Sequence, residues 1–430
     1  MAFPVLCQDS LSVITIKDHR KKQVITSIGG NYCQATYTND AWDEVAEFTL
    51  QNLKPTHIRF PIPLKKWEPE NDNESARSLD ISGFNHQGTM KTLFEMLARM
   101  KEEYGVTSFT AAVWDAPDWM IENPEASQQR KIKKSHYQEA LESIGAFMVE
   151  ARDNYGITVD YFSFNEATGG YQILFTPEEI IEFISIGGPY FRSLGLPTKF
   201  LTADSHKTGG TTEYARPLLQ NDSITQYLGP LSYHSWWSDN LPDEEFKVIA
   251  DQAQKYNLPV WCTELGYDAM LYKDKSKFPT WENAWKLAKV NHRVLKYSEA
   301  SLTQYWTYQN NFPIVSPDGD PFPIYYTIKQ NSDYLPNGSQ VVQAESSDPD
   351  LWVISALLPE YEFMTQILNV SEQQKQVILQ NVPSRKIYLV RTSENHNLEI
   401  VEELTPTGRS VEANLPPRSM NTFVTKILHQ

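Results

Sequence analysis

The chain has 430 residues, of which 40% are hydrophobic and 12% aromatic, and this composition excludes a disordered polypeptide. Its formal net charge of −16 argues against nucleic acid and anionic membranes as partners, because both attract an excess of lysine and arginine. An uncharged ligand suits this balance better. The length accommodates one barrel of roughly 250 to 300 residues together with a smaller domain.

The amino terminus carries no visible export signal. Residues Met1 to Asp9 lack the basic start and the apolar run of a signal peptide, and no apolar run in the sequence is long enough to span a bilayer. Cys7, Cys33 and Cys262 are too scattered for a disulfide framework. We therefore expect no membrane insertion and a cytoplasmic protein as written, or a secreted or periplasmic one if an export signal was trimmed. The oligomeric state is unknown at this stage.

Two β-prone runs open the chain. Leu11 to Lys17 and Gln23 to Ile28 flank the basic stretch Asp18 to Lys22, and this pattern predicts a hairpin. The second arm leads into Gly29 and Gly30. We expect the hairpin to add strands to a sheet elsewhere, because an isolated two-stranded ribbon is marginally stable.

Strand-like and helix-like segments then alternate. Helices are predicted from about Asn39 to Leu53, His86 to Tyr104 and Ser135 to Tyr155, and a fourth begins at the capping box Thr176 to Glu179. Strands are predicted at His57 to Phe60, Phe109 to Trp114, Val159 to Phe164, Lys199 to Ala203, Leu231 to His234, Pro259 to Thr263 and Ser301 to Trp306. With the run into Gly30 this gives the strand number of a (β/α)₈ TIM barrel, whose strands are parallel.

The pattern changes after about Pro336. Short β-prone runs follow one another at roughly ten-residue spacing, which is typical of an antiparallel β-sandwich. They are Val341 to Glu345, Trp352 to Leu358, Phe363 to Asn369, Gln376 to Leu379, Ile387 to Arg391, Leu398 to Glu403 and Thr422 to Ile427. We therefore predict an α/β fold with a catalytic barrel over residues 24–335 and a β-sandwich side domain made of residues 1–23 and 336–430.

Two of the predicted barrel strands lead into a glutamate. Glu166 follows the strand that ends at Phe164, and Glu264 follows the strand that ends at Thr263. Catalytic groups of such barrels lie at the carboxyl ends of strands. Retaining glycoside hydrolysis needs two carboxyl groups about 5 Å apart, one as acid and one as nucleophile. The alternative is that both are solvated acids at strand ends, the commoner fate of a glutamate.

Other polar and aromatic side chains near predicted strand ends could assist this chemistry. The amide of Asn165 could bind a sugar 2-hydroxyl, and Arg59 could keep Glu264 ionised, although a structural ion pair in the barrel mouth is the alternative. Trp114, Trp236, Trp237, Trp261 and Trp306 recur at predicted strand ends, and some of them are candidate stacking surfaces for sugar rings. Trp261 is better explained as a core residue, and Trp306 is the better candidate.

Metal and cofactor chemistry has little support in the sequence. The histidines show no zinc-site spacing, and Ile28 to Gly30 and Thr208 to Gly210 lack the longer phosphate-binding fingerprint. Cys262 is better explained as a small core residue than as a nucleophile. We expect no metal and no cofactor.

With these residues placed, the sequence resembles glycoside hydrolase family 30. The motifs that carry the resemblance are Ile58 to Pro61, Ala112 to Met120, Asn165 with Glu166, Glu264, Gln330 to Ser339 and Leu415 to Phe423. Their order covers nearly the whole chain. The resemblance implies a TIM barrel with a β-sandwich side domain, Glu166 as acid/base on strand four, Glu264 as nucleophile on strand seven, and His234 in the supporting shell. It also implies a glucosylceramidase, β-1,6-glucanase or xylanase type of activity.

Two positions depart from the family pattern. Ala167 follows Glu166 where the family usually has proline. His234-Ser235-Trp236 stands where many members have His-x-Tyr, so a tyrosine hydroxyl that would contact the nucleophile is missing.

Taken together, the residues and the resemblance predict a retaining β-glycoside hydrolase that acts on a β-linked glycan or glycoside in polysaccharide degradation. The substrate types left open are β-glucan, β-1,6-glucan, xylan and β-glucoside. The alternatives are a non-catalytic carbohydrate-binding protein on a hydrolase fold and an inverting enzyme.

Overall fold

In the computed structural model, the described residues are 11–73, 75, 79–309 and 311–427. Cys7 and the segment Met1 to Asp9, which was compared with a signal peptide, lie outside the described residues. The chain divides into two compact units, one made of residues 27–275 and 293–313 and the other of residues up to 26, 276–292 and from 314 onward. The domain boundaries given from the sequence stay a prediction. Among the described helices, none is both long and apolar enough to cross a membrane.

The first strand, β1, covers Ser12–Val24, and its register to its antiparallel partner shifts between Lys17 and Lys21 and again between Lys21 and Val24. It pairs antiparallel with Gln340–Ser346 and parallel with Lys375–Gln380. The predicted hairpin is therefore wrong, although the expectation that this segment joins a sheet elsewhere is correct. The side chains of residues 18–22 are exposed. Because backbone hydrogen bonds hold the ladder, a polar stretch can continue a strand wherever its side chains meet water.

Eight parallel strands form the barrel of the larger unit. They are β2 (Ser27–Gly30), β3 (His57–Pro61), β4 (Ser108–Val113), β5 (Tyr161–Phe164), β6 (Lys199–Ser205), β7 (Leu228–His234), β8 (Val260–Leu265) and β9 (Ala300–Tyr305). The sheet order is β2-β9-β8-β7-β6-β5-β4-β3, and a parallel bridge between Asn31 and Arg59 closes the ring. The predicted barrel is confirmed.

Helices alternate with these strands along the chain. The longer ones are Glu44–Leu53, Thr89–Tyr104, Tyr137–Tyr155, Pro177–Ser193, Thr211–Leu219, Glu244–Lys255, Trp281–Tyr297 and Pro323–Tyr334. Two short helices, Gln34–Tyr37 and Leu64–Trp67, lie in loops. The predicted capping box is present, since Thr176 accepts a hydrogen bond from the Glu179 amide and the Glu179 side chain accepts one from the Thr176 amide.

The other unit contains a nine-stranded sheet. After β1 its strands are β10 (Gln340–Ser346), β11 (Leu351–Leu357), β12 (Phe363–Asn369), β13 (Lys375–Gln380), β14 (Ile387–Ser393), β15 (His396–Leu404), β16 (Ser410–Leu415) and β17 (Ser419–Val424). Leu404 and Val411 lie on the two edge strands, β15 and β16, yet share one buried hydrophobic cluster, so the sheet folds on itself as a sandwich. The sandwich is confirmed with two corrections: the β1–β13 pair is parallel, and β16 was missed.

Candidate active site

The two glutamates lie close together at the carboxyl ends of their strands. Glu264 is the penultimate residue of β8, and Glu166 follows β5 with a backbone φ of 52°. A carboxylate oxygen of each and a ring nitrogen of His234 all lie within 4.8 Å of one another. The side chain of Glu166 is 12% exposed and that of Glu264 is 3% exposed. Glu166 is thus the carboxyl group that solvent reaches more easily.

His234, the last residue of β7, lies between the two carboxyl groups. Its Nδ1 lies 3.1 Å from Oε1 of Glu166 and 3.2 Å from Oε2 of Glu264. Its Nε2 lies 3.6 Å from Oδ1 of Asp204. Burial alone would lower the pKa of His234, but the charge of Glu264 and the contacts with Asp204 and Glu166 raise that pKa well above its usual value. The imidazole therefore carries a positive charge at neutral pH.

Arg59 on β3 lies beneath the glutamates and is fully buried. Its Nη1 donates to Oε1 of Glu264 at 2.8 Å and to Oδ1 of Asn31 at 2.9 Å. Its Nη2 donates to Oδ1 of Asn165 at 2.7 Å and to Oδ2 of Asp204 at 3.0 Å. Arg59 contacts Glu264 as predicted, and it also joins residues in or directly after four other strands, β2, β5, β6 and β8, into one network.

Asp204 was not anticipated from the sequence. It lies on β6, is fully buried, and accepts hydrogen bonds from Ser163 at 2.6 Å and Thr263 at 2.5 Å in addition to Arg59. Burial alone would raise its pKa, but Arg59 and His234 hold that pKa well below its usual range. The sequence contained the signal, since Asp204 directly follows the predicted strand Lys199 to Ala203, as each glutamate follows its own strand.

Trp236 is a direct partner of Glu264. Its Nε1 donates to Oε2 of Glu264 at 3.1 Å, and the side chain is buried. The ring lies against Gly266, where any Cβ would overlap it. Many members of family 30 have a tyrosine at this position that would contact the nucleophile. Here the indole of Trp236 supplies the hydrogen bond to Glu264 instead.

Two other predicted tryptophans line the base of the site. The rings of Trp114 and Trp306 lie 5.8 Å apart at 33°, and the guanidinium carbon of Arg59 lies 4.8 Å from the Trp114 ring centre. Both side chains are buried, so they present only a small part of their surface toward the cleft.

The charges of the site balance when Glu166 is protonated. Burial raises the pKa of Glu166, and the neighbouring charge of Glu264 raises it further, while His234 and Arg59 oppose the shift. A protonated Glu166 leaves the carboxylates of Glu264 and Asp204 opposite the cations of Arg59 and His234. The arrangement therefore favours one protonated and one ionised glutamate, which is the state that acid-assisted nucleophilic attack requires.

Glu166, His234 and Glu264 are also close enough together to hold a metal ion. The donor set around them is better suited to a proton. Arg59 and Trp236 already donate to the two oxygens of Glu264, and the carboxyl groups around His234 raise the pKa of its imidazole. The expectation of no metal remains a prediction.

Comparison with known proteins gives similarity across most of the chain at low sequence identity. No protein-family model matches. The glucuronoxylanase XynC of Bacillus subtilis (strain 168) is 20% identical over 338 residues, which are 76% of this chain and 76% of that protein. A GH30 endoxylanase from Clostridium papyrosolvens C71 superposes with a TM-score of 0.78 at 16% identity, covering 97% of this chain and 100% of that one. An endo-β1,6-glucanase superposes with a TM-score of 0.69 at 14% identity, covering 96% and 93%. The resemblance predicted from motifs is confirmed at the level of the fold.

Proposed function

We propose that the chain is a retaining β-glycoside hydrolase, with Glu264 as nucleophile and Glu166 as general acid and then base. The spacing of the two carboxyl groups carries this proposal. One carboxylate oxygen of each glutamate lies within 4.8 Å of one of the other, and retaining enzymes hold the pair about 5–5.5 Å apart. An inverting enzyme, the alternative mechanism, needs roughly 6.5–9.5 Å to fit a water between substrate and base.

In the first step Glu166 donates its proton to the glycosidic oxygen, and the bond between this oxygen and the anomeric carbon breaks. A carboxylate oxygen of Glu264 forms the new bond to the anomeric carbon, which gives a glycosyl ester and releases the first product. Arg59 and Trp236 hold Glu264 through one hydrogen bond to each of its oxygens, so the carboxylate needs no reorientation before it attacks.

In the second step the now ionised Glu166 takes a proton from water. The water oxygen bonds to the anomeric carbon, and the ester bond to Glu264 breaks, which regenerates both groups. His234 contacts both glutamates at once. It can therefore stabilise negative charge on Glu264 before attack and on Glu166 after proton donation, without leaving its position on β7.

The remaining predicted residues, Asn165, Trp114 and Trp306, are placed to contact the sugar. Asn165 is held by Arg59 beside Glu166, which keeps the prediction that its amide contacts a sugar 2-hydroxyl. Trp114 and Trp306 form an apolar base on which one sugar ring can rest.

The substrate class we propose is a β-linked glycan of xylan or glucan type. The basis is similarity, since the relatives and neighbours are by name a glucuronoxylanase, an endoxylanase and an endo-β1,6-glucanase. The geometry of the site does not favour the alternative of a non-catalytic carbohydrate-binding protein. Both carboxyl groups and the donors that hold Glu264 are in place.

The test is product release from β-linked polysaccharides and aryl β-glycosides, with Glu264→Gln as the inactive variant. We expect turnover by the native protein on at least one glycan and a loss of about four orders of magnitude or more in the variant. Glu166→Gln should lose more activity on natural glycans than on aryl glycosides with acidic leaving groups, which need no proton. A folded native protein that binds sugar but cleaves nothing would favour the binding-protein alternative.

A further inference from the structure

The exposed aromatic side chains of the described chain are concentrated at one end of the barrel. They are Tyr37, Tyr171, Trp237 and Tyr272, with 47%, 54%, 49% and 39% of their surface exposed. Each lies in the loop that follows a barrel strand, namely β2, β5, β7 and β8. This is the face on which Glu166 and Glu264 lie. The four residues are called the aromatic rim below.

Such clustering points to a ligand. Aromatic rings in water are an energetic liability, and the other aromatic side chains with a described environment are buried or half-buried. A chance distribution would place exposed rings on the outer helices or on the sandwich as well. Flat rings around a polar centre are a common way to bind the C–H faces of sugar rings.

Trp237 is held toward solvent by its backbone. Its φ is 55°, in the left-handed region that residues other than glycine rarely adopt, and its amide donates to the Tyr267 carbonyl at 3.0 Å. The preceding residue, Trp236, turns inward to Glu264. One loop therefore presents one indole to the nucleophile and the next indole to the cleft.

Tyr272 is connected to the same centre through ring contacts. Its ring lies 6.3 Å from that of Phe312, and the Phe312 ring lies 5.6 Å from that of Trp236. Tyr272 is therefore connected through Phe312 to Trp236, which donates to Glu264.

We propose that the aromatic rim binds the sugar residues that flank the cleaved bond, so that the substrate is a chain of uncharged β-linked sugars rather than a single glycoside. This inference rests on the proposed function and specifies its substrate. The occupant is a glycan because the rim residues lie in loops at the same end of the barrel as the carboxyl pair.

The net charge of the chain favours an uncharged occupant, although Lys273 and Lys275 lie exposed in the same loop as Tyr272. The chain carries a net charge of −16. The Arg59 guanidinium beneath the glutamates is fully buried and donates to four acceptors, which leaves it poorly placed to bind a sugar carboxylate. Neutral C–H faces and hydroxyl groups match tyrosine and tryptophan instead.

The test compares a cleaved polysaccharide with the aryl β-glycoside of its own sugar, using Trp237→Ala and Tyr171→Ala. We expect kcat/KM on the polysaccharide to fall about tenfold or more, mainly through KM, and kcat/KM on the aryl glycoside to stay within about twofold. Val248→Ala is the matched control, because Val248 is an exposed apolar residue on the helix Glu244–Lys255, outside the rim. Equal losses on both substrates, or no loss on either, would overturn the proposal.

Two further measurements separate this proposal from the proposed function. If the native protein cleaves nothing, its affinity for soluble xylan and glucan is measured directly. If the native protein binds a polysaccharide and Trp237→Ala does not, the aromatic rim binds glycans but the proposed hydrolase activity is rejected. If the native protein binds neither polysaccharide, both proposals are rejected. Glucuronoxylan and its carboxyl-reduced form test the charge of the substrate. We expect the reduced polymer to be cleaved at least as well, and a requirement for the carboxylate would contradict an uncharged substrate.

Discussion

The indole Nε1 of Trp236 donates a hydrogen bond to Oε2 of Glu264 at 3.1 Å, on the oxygen that also lies 3.2 Å from Nδ1 of His234. An indole N–H only donates, so this contact stabilises the ionised form of the carboxyl group and cannot remove or supply a proton during the reaction. Trp236, which the sequence suggested as a sugar contact, is thus placed to position Glu264, the proposed nucleophile.

Trp236→Phe should therefore reduce kcat more than it changes KM. A hydrogen bond to a charged group contributes about 1.5–3 kcal/mol, which corresponds to roughly 10- to 100-fold in rate. Steady-state kinetics on the best glycan measures the effect. Trp261→Phe is the control, because Trp261 is also buried but donates to the neutral hydroxyl of Ser301. Equal reductions of kcat in Trp236→Phe and Trp261→Phe would contradict a specific role for the hydrogen bond from Trp236 to Glu264.

Gly266→Ala should produce a similar defect without touching a polar group. A Cβ at position 266 would overlap the ring of Trp236, which is enclosed and cannot move aside freely. The indole must then shift away from Glu264, and we expect kcat to fall at least about tenfold. Combining the change with Trp236→Phe should give little further loss, since both remove one contact. Fully additive losses in the double variant would contradict this explanation.

The barrel was readable from the sequence because its signals are local. Each strand is a short apolar run, and helix ends carry capping residues such as Thr176 or a left-handed glycine such as Gly105. The hairpin prediction failed because Asp18 to Lys22 looked like a turn by polarity alone. Whether a polar stretch turns or continues depends on strands that lie more than 300 residues away, here Gln340–Ser346, and no local pattern encodes that pairing.

His234→Asn should move the pH dependence of activity in a defined direction. The hydrogen bond and the positive charge of His234 lower the pKa of Glu166, against the larger effect of burial. Asp204, Glu264 and Arg59 also face this cluster. Removal of the imidazolium should therefore raise the pKa of Glu166. Because the first step needs Glu166 protonated, activity is lost as pH rises through that pKa, and the basic limb of kcat/KM should move to higher pH.

The control for this pH profile is His206→Asn. His206 is a neighbouring histidine whose pKa is lowered to about 4 by burial, so it is neutral at neutral pH and its removal changes no charge. The basic limb of this variant should stay in place. A basic limb that moves to lower pH in His234→Asn would contradict the assignment of Glu166 as the acid.

Asp204→Asn should destabilise the barrel as well as the site. Its carboxylate is the buried counter-charge of Arg59 and accepts hydrogen bonds from Ser163 and Thr263. Removing one charge of a buried pair costs about 3–5 kcal/mol, and urea unfolding followed by circular dichroism measures it. Lys386→Gln, which breaks the exposed pair with Glu403, should change stability by less than about 1 kcal/mol. Equal free energies of unfolding for Asp204→Asn and Lys386→Gln would contradict a stabilising role for Asp204.

The glutamate pair was predictable from sequence, whereas the network around it was only partly so. A strand that ends on an acidic residue is a visible pattern, and Glu166 and Glu264 both show it. Asp204 shows the same pattern but was passed over, because its importance comes from Arg59, which is 145 residues distant in sequence. Of the aromatic rim, only Trp237 is among the candidate stacking surfaces named from the sequence, because the exposure of Tyr37, Tyr171 and Tyr272 depends on loop conformation, which has no sequence periodicity.

The most direct test of a retaining mechanism is the anomeric configuration of the first product, followed by proton NMR during early turnover of the best substrate. The close approach of Glu166 and Glu264, with one oxygen of each within 4.8 Å of the other, predicts that the β-anomer appears first and that the α-anomer forms only later by mutarotation. Initial release of the α-anomer would contradict a covalent intermediate on Glu264, and with it the proposed mechanism.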